Sequence, residues 1–367
     1  MMDKATYDIV VAGGGPAGLS AAQVAAAQGL RVLVVEKHGE IGSPTRTSGG
    51  TAVADMIALG VPPHLYHPVQ GCQFIGPSVE ATFTSPTAYA CLLDVRGLYQ
   101  YLAERAIADG ATLRPRTQVT DLVRERGVVR GVKLRDHAGR ATAVSCALVI
   151  DATGFPSTLA VKAGIHAGYR RAGVGAEYDL YAPNFPEDMG ILVVGRAIAP
   201  AGYAWAFPWG RRRVRAGIGI IRPDSPDDPV DYLDTFVHDY APLRTAFKGA
   251  SAVEFHTGVI PAEGLSERLV DDGIITAGDA AGQSSALIGE GIRFSMYAGR
   301  LAGEVGARAV RQGDVSATAL APYEKEWRRR FGRKLKLAYS INRRISMFDD
   351  PDWDRSIQTL RGLSTYQ

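Results

Sequence analysis

The chain has 367 residues, 46% of them hydrophobic, enough for one large domain or two interleaved ones around a substantial core. A net charge of +3 is too mild to imply a nucleic-acid partner, and no stretch approaches the roughly twenty apolar residues of a membrane span. Three widely spaced cysteines, Cys72, Cys91 and Cys146, suit a reducing cytoplasm and argue against a disulfide framework.

The N-terminus runs almost directly into a strand, so no signal peptide is expected. That strand, Tyr7 to Ala12, is apolar and β-branched. It ends in Gly13-Gly14-Gly15-Pro16-Ala17-Gly18, a G-x-G-x-x-G. An alanine-rich helix from Leu19 to Gln28 follows and stops at Gly29. A second strand, Arg31 to Val35, ends at Glu36. His64 and His67 sit among prolines in an expected loop, without a third ligand for a metal. A helix is expected from Gly97 to Ala108. A three-strand meander is expected next, Thr117–Glu125, Val128–Arg135 and Ala141–Ser145. A buried strand then leads into Asp151-Ala152-Thr153-Gly154. From about residue 165 the texture changes, with strands expected at Ile191–Gly195, Ala204–Phe207 and Val214–Ile221 and a helix at Asp231–Phe247. A last strand meets Gly278-Asp279. A helix from Gly291 to Arg311 and a basic helical tail complete the chain.

Strand, glycine turn, helix, strand and terminal carboxylate together form a dinucleotide-binding fingerprint. Gly13 permits the tight turn, Gly15 lets amides approach a pyrophosphate, and Gly18 lets helix and strand pack closely. Pro16 and Ala17 complete the turn and are candidate cofactor contacts, and the N-terminus of the helix that follows favours a diphosphate. Glu36, with Lys37 beside it, suits ribose hydroxyls and would repel a 2′-phosphate. The implied ligand is an ADP-containing cofactor. The expected fold is α/β. It has a Rossmann-like cofactor domain with a central parallel sheet and β-meander, built from residues 1–58, 92–164 and 260–312. An antiparallel-sheet substrate domain is expected from 59–91 and 165–259, with a C-terminal helical region at 313–367.

These motifs resemble the FAD-binding pattern of the glutathione-reductase-like and hydroxylase-type flavoproteins. The resemblance implies non-covalent FAD. It places Asp151 and Gly154 at the cofactor, Gly278 and Asp279 at the ribityl chain, and Arg96 near the flavin. Glu40-Ile41-Gly42-Ser43-Pro44-Thr45-Arg46, Gly202-Tyr203-Ala204-Trp205-Ala206-Phe207-Pro208 and Gly289-Glu290-Gly291-Ile292-Arg293 are similar more narrowly to the geranylgeranyl reductase family. That resemblance implies reduction of isoprenoid C=C bonds by hydride transfer from flavin N5. The family often has a cysteine where this chain has Thr47, which leaves a redox tailoring role on a smaller natural product open.

Tyr203, Trp205 and Phe207 alternate along one strand and so share a face, suited to an apolar substrate wall or to ordinary packing. With Thr47 they are the candidate substrate-facing residues. The turn at Gly289, Gly291 and Ile292 brings helix amides toward the flavin edge, where reduction places negative charge. Arg46 and Arg96 are candidates to touch the cofactor or to sit in surface ion pairs. Glu290 is either a structural buried acid or a reactive one. No second G-x-G-x-x-G in a strand context follows, so electrons are expected from outside, from NAD(P)H or a reduced carrier.

Three rivals share the scaffold. A single-component FAD monooxygenase usually carries a Pro-x-x-Gly-x-Gly-x-Asn loop, and this chain has Ser284 to Gly291 there. A flavin-dependent halogenase needs a lysine in a region where this chain has none between Lys37 and Lys133. A non-catalytic prenyl-binding escort protein need not keep Glu36 and Asp279. The tail around Trp327, Phe331, Leu335 and Ala338 has helical spacing. It suits packing on its own domain, and also peripheral contact of a cytoplasmic protein with an anionic membrane.

Overall fold

The computed structural model describes residues 7–364. Contacts divide the chain into two compact units. The first takes residues up to Ser43, Arg96–Arg170 and Pro261–Tyr339. The second takes Pro44–Val95, Arg171–Ile260 and the chain from Ser340 onward. Residues 44–58 thus pack with the second unit, and the C-terminal helices are shared between the two rather than forming a unit of their own.

The first unit is built on a parallel sheet. Tyr7–Ala12 lies at its centre, between Val32–Val35 on one side and Ala141–Asp151 on the other. Ile274–Thr276 and Thr112–Arg114 extend it in parallel. Ile9, Val10, Leu33, Val34, Leu148 and Ile150 have no exposed surface, as strands covered on both faces require. Ala141–Asp151 is one continuous 11-residue strand. Its first half closes the meander with Thr117–Glu125 and Val128–Asp136, and its second half joins the parallel sheet. The sequence pattern divides it in two because the burial changes from alternating to continuous midway.

The first helix starts at Pro16, earlier than its apolar pattern suggests, because proline is well placed in a helix's first turn. It packs against Ile292–Gln312. A Cβ on Gly299 would lie 2.1 Å from the Ala17 carbonyl oxygen, so the two backbones touch there. Trp327 and Leu335 of the tail are buried, and Trp327 and Phe331 pack their rings on Phe294. That apolar stripe belongs to the unit's own core.

The second unit holds a seven-stranded sheet in which Ala172–Tyr181, Arg213–Arg222, Gly202–Gly210 and Met189–Val193 are consecutive antiparallel neighbours. Its two faces differ in chemistry. On one, Ala176, Leu180, Ala204, Ala206, Val214, Ala216, Ile218 and Ile220 form a core with Leu233, Phe236 and Val237 of the helix Pro229–His238. On the other stand Glu177, Asp179, Tyr203, Trp205, Phe207, Trp209, Arg213 and Arg215, as the period of two along each strand dictates. The expected helix Asp231–Phe247 stops at His238, and the chain then makes a short turn of 3₁₀ helix at Ala241–Leu243. Pro242 ends the helical pattern. His64 and His67 flank the start of a strand, Tyr66–Val69, and His67 Nε2 lies 2.6 Å from the Glu187 carbonyl oxygen.

Gly299→Ala should destabilise the protein by roughly 1–3 kcal/mol through overpacking. Gly362→Ala, whose Cβ meets nothing within 4 Å, should be neutral or stabilising. Urea denaturation of the two variants measures the contrast.

Candidate functional site

In the first unit the sequence-predicted cofactor residues gather where the parallel strands end. Glu36 closes Val32–Val35, and its carboxylate accepts the Gly14 N–H at 2.7 Å and the His38 N–H at 2.8 Å. Those two bonds fix the carboxylate and leave it further acceptor capacity. The helix Pro16–Ala26 has no side-chain cap, so its first amides lack an internal partner. A Cβ built on Gly15 meets nothing within 4 Å, so these amides open onto free space.

Asp151 is fully buried, so what it contributes is the shape of the turn. Its Oδ1 accepts from the Thr153 N–H at 3.0 Å and hydroxyl at 2.7 Å, while Oδ2 has no hydrogen-bond partner among the described residues. Gly154 follows with a φ of 72°. Burial raises the Asp151 carboxyl above its ordinary value.

Asp279 lies on the short turn Gly278–Ala281. Burial pushes its carboxyl up to about 6, yet part of its surface stays open, as for a group lining a cleft. It stands beside Gly291, which precedes the uncapped helix Ile292–Gln312; a Cβ on Gly291 would lie 3.2 Å from Oδ1. Tyr169, which the sequence reading missed, donates its hydroxyl to the Asp279 carbonyl at 3.1 Å and stacks on Phe155. Gly289 has a φ of 63° in the turn before that helix, and the buried Glu290 carboxylate is paired with Arg293 at 2.8 Å. Arg96 pairs with Glu40 on the surface, its Nε 2.7 Å from Oε1. Lys37 is exposed and lines a shallow cleft with Arg116, Arg135 and His137. Arg46 belongs to the second unit, where its backbone carbonyl packs on Gly258.

An acid at the ribose position, open helix amides at a diphosphate position and a solitary carboxylate beside a second helix N-terminus fit FAD. Glu36, the turn Gly13–Gly18, Asp279 and the amides at Gly291 and Ile292 are the groups that would hold it.

In the second unit the predicted aromatic residues do share a face. Tyr203 and Trp205 have ring centroids 5.7 Å apart, and Trp205 and Phe207 stack at 6.5 Å. Tyr203 and Phe207 are half-buried, whereas Trp205 is only 9% exposed. Its indole lies over Gly217, where a Cβ would meet ring carbons at 2.5 Å. The ring thereby reaches Glu177, whose Oε2 accepts the indole N–H at 3.0 Å. The same oxygen accepts the Ser48 hydroxyl at 2.7 Å, and Oε1 lies 3.1 Å from His256 Nδ1. Arg215 donates to the carbonyls of Ser48 at 2.6 Å and Leu93 at 2.8 Å, which fixes the loop that carries Thr47. Asp179 joins Arg213 at 2.8 Å and the Trp209 indole at 3.2 Å. Glu177, His256 and Arg215 were not anticipated. The visible signal was two acids, Glu177 and Asp179, at alternate positions of a strand otherwise apolar or glycine-rich.

Fold and cofactor cradle together define an FAD-dependent oxidoreductase. Residues 8–182 match the family model for FAD dependent oxidoreductases, and 172–260 match the geranylgeranyl reductase catalytic domain. A digeranylgeranylglycerophospholipid reductase of Methanothermobacter thermautotrophicus is 33% identical over 363 residues, covering 97% of this chain and 92% of its own. The chain belongs to the geranylgeranyl reductase family. The structure of a geranylgeranyl bacteriochlorophyll reductase-like protein from Thermoplasma acidophilum superposes with a TM-score of 0.90 at 27% identity, covering 98% of this chain and 92% of that one. A probable FAD-dependent monooxygenase from Pseudomonas aeruginosa, at 18% identity and a TM-score of 0.72 over 96% of this chain and all of its own, shares the fold alone.

Hydroxyl donors bind ionised Asp279 better than its protonated form, so FAD binding should release protons as its carboxyl ionises. FAD affinity should therefore be full above pH 6 and weaken as pH falls through about 6, the value of Asp279 in the protein alone. Asp279→Asn should remove that dependence. Flavin fluorescence titration of the apoprotein across pH measures both.

Proposed function

We propose that the chain reduces isolated C=C bonds of a geranylgeranyl-type isoprenoid lipid. What supports this reading most is the sheet face that carries Tyr203, Trp205 and Phe207, in a chain whose relative is a digeranylgeranylglycerophospholipid reductase. Bound FAD supplies the two electrons as hydride. The protein's part is to hold the alkene, exclude water and deliver a proton. Tyr203 and Phe207, half-buried on either side of a fixed indole, give an apolar surface against which a prenyl chain packs. Arg215, opposite Phe207 on the same sheet face, fixes the Ser48 backbone, and so the register of Thr47. The electron donor is external, NAD(P)H or a reduced carrier.

Among the described residues no helix is long and apolar enough to cross a membrane. A peripheral contact with lipid is part of the same reading. Leu337 and Ile341 are exposed one turn apart on the helix Arg333–Ile345, with Lys334, Lys336, Arg343 and Arg344 also exposed. That combination suits a helix lying in an anionic interface. Leu337→Glu should lower co-sedimentation with phosphatidylglycerol vesicles and leave FAD content unchanged; equal sedimentation would remove the membrane from the account.

Anaerobic holoenzyme reduced with dithionite should convert a digeranylgeranylglycerophospholipid to products that have gained one H₂ per double bond, read by mass spectrometry. Tyr203→Ala and Phe207→Ala should each lower kcat/KM for that lipid by about tenfold, equivalent to ~1.4 kcal/mol, with FAD content unchanged. Loss of FAD in both would make these rings structural.

A further inference from the structure

We propose that Glu254, His256, Glu177 and Ser48 form a proton relay that feeds the carbon of the double bond not receiving the hydride, an inference that rests on the reading above.

The four side chains lie in the second unit and are joined end to end. The Glu254 carboxylate is 56% exposed and lies 2.9 Å from His256 Nε2. The His256 imidazole, 5% exposed, reaches Glu177 through Nδ1 at 3.1 Å. Glu177, 4% exposed, accepts the Ser48 hydroxyl at 2.7 Å. Ser48 is half-buried and adjoins Thr47 in the sequence, and the Trp205 indole anchors the same Glu177 oxygen. The chain therefore leads from water, through two buried titratable groups, to a hydroxyl beside the aromatic surface assigned to the substrate.

A carboxylate needed only to satisfy the Trp205 indole would not require an imidazole behind it, nor a second, exposed carboxylate behind that. Burying an ionisable pair costs several kcal/mol unless it is well bonded, and here every link is at hydrogen-bond distance. The charges around the imidazole favour its protonated form. Burial works against that form and so does Arg215, but the bonds to Glu177 and Glu254 prevail and His256 sits above its ordinary value. Glu254 is correspondingly lowered, chiefly by its bond to His256, with Arg213 and Arg215 adding to the effect.

The balance is simple. One alkene carbon gains a hydride, whose two electrons come from the reduced flavin. At the other carbon a C–H bond forms as the Ser48 O–H bond breaks. The His256 imidazolium gives its Nδ1 proton to the Glu177 carboxylate, Glu177 then gives one to Ser48, and the neutral imidazole, which keeps its Nε2 proton, is recharged at Nδ1 from water between turnovers. The sum is alkene plus hydride plus proton to alkane, and the flavin is what is oxidised.

The test uses dithionite-reduced holoenzyme, the digeranylgeranylglycerophospholipid and single turnovers across pH. In the wild type the rate should fall as pH rises through the raised His256 value, because the imidazolium is the proton store. Glu177→Gln is isosteric: its oxygen can still accept from Trp205 and Ser48, but it cannot relay a proton. It should lower the rate about 100-fold, within the usual range for general acid catalysis, abolish the His256 limb of the pH profile and keep wild-type FAD content. ¹⁵N NMR of the His256 ring, without substrate, should show an imidazolium persisting above the ordinary histidine value in the wild type and not in Glu177→Gln. A Glu177→Gln enzyme with wild-type rate and pH profile would overturn the relay, as would a neutral His256 in the wild type. If Glu177→Gln does not fold, His256→Gln carries the same kinetic expectation. A wild type that leaves the lipid unreduced would overturn the functional reading, and the relay's role with it, even if the NMR titration showed the charged imidazole.

Discussion

Backbone meeting backbone is the constraint on which the first unit depends. The Ala17 and Ala21 carbonyls of one helix touch the glycine-bearing stripe of another, at Gly299 and Gly303. Side chains at those points would clash with those carbonyls and push Pro16–Ala26 away from Ile292–Gln312. Both helix N-termini would then shift relative to the ends of the parallel strands. The cofactor cradle needs them there, because uncapped amides at one and Asp279 beside the other are the groups suited to a diphosphate and a polyol chain. Packing and chemistry are thus one requirement: the same small residues that seal the core hold the binding groups in register.

The second unit meets a different requirement with the same sheet geometry. One face is aliphatic and closes on the helix Pro229–His238. The opposite face carries rings, glycines and charges, an arrangement that stability alone does not call for. Gly217 makes room for the Trp205 indole, the indole fixes Glu177, and Glu177 fixes Ser48 and His256. Arg215 holds the loop through the Ser48 carbonyl. A buried network of this kind is favourable only when nearly every member is bonded, and it gives the aromatic surface a fixed shape.

Much of this was legible in the sequence, for local reasons. The glycine turn with Glu36, the Gly278-Asp279 pair and the alternation of Tyr203, Trp205 and Phe207 each sit within a short window, where spacing reports geometry. The Glu177 network was not legible, since its members lie at positions 48, 177, 205 and 256 and meet only when four segments pair. Asp151 shows the converse. Its motif was read correctly as a turn after a strand, but spacing does not reveal that the carboxyl is spent on Thr153. The strand Ala172–Tyr181 escaped notice because glycines and acids interrupt its apolar alternation, and those acids are what make one of its buried faces polar. The helix at Asp231 was read too long because Phe236 and Phe247 are both core residues, although a proline-marked turn separates them.

On the function proposed above, the reduced flavin of this protein gives its electrons to an isoprenoid double bond. Anaerobic stopped-flow mixing of reduced holoenzyme with a digeranylgeranylglycerophospholipid tests it directly. Oxidised-flavin absorbance should return in step with lipid saturation, without oxygen. A flavin that stays bleached with the lipid and regains its colour only when oxygen is admitted would contradict it.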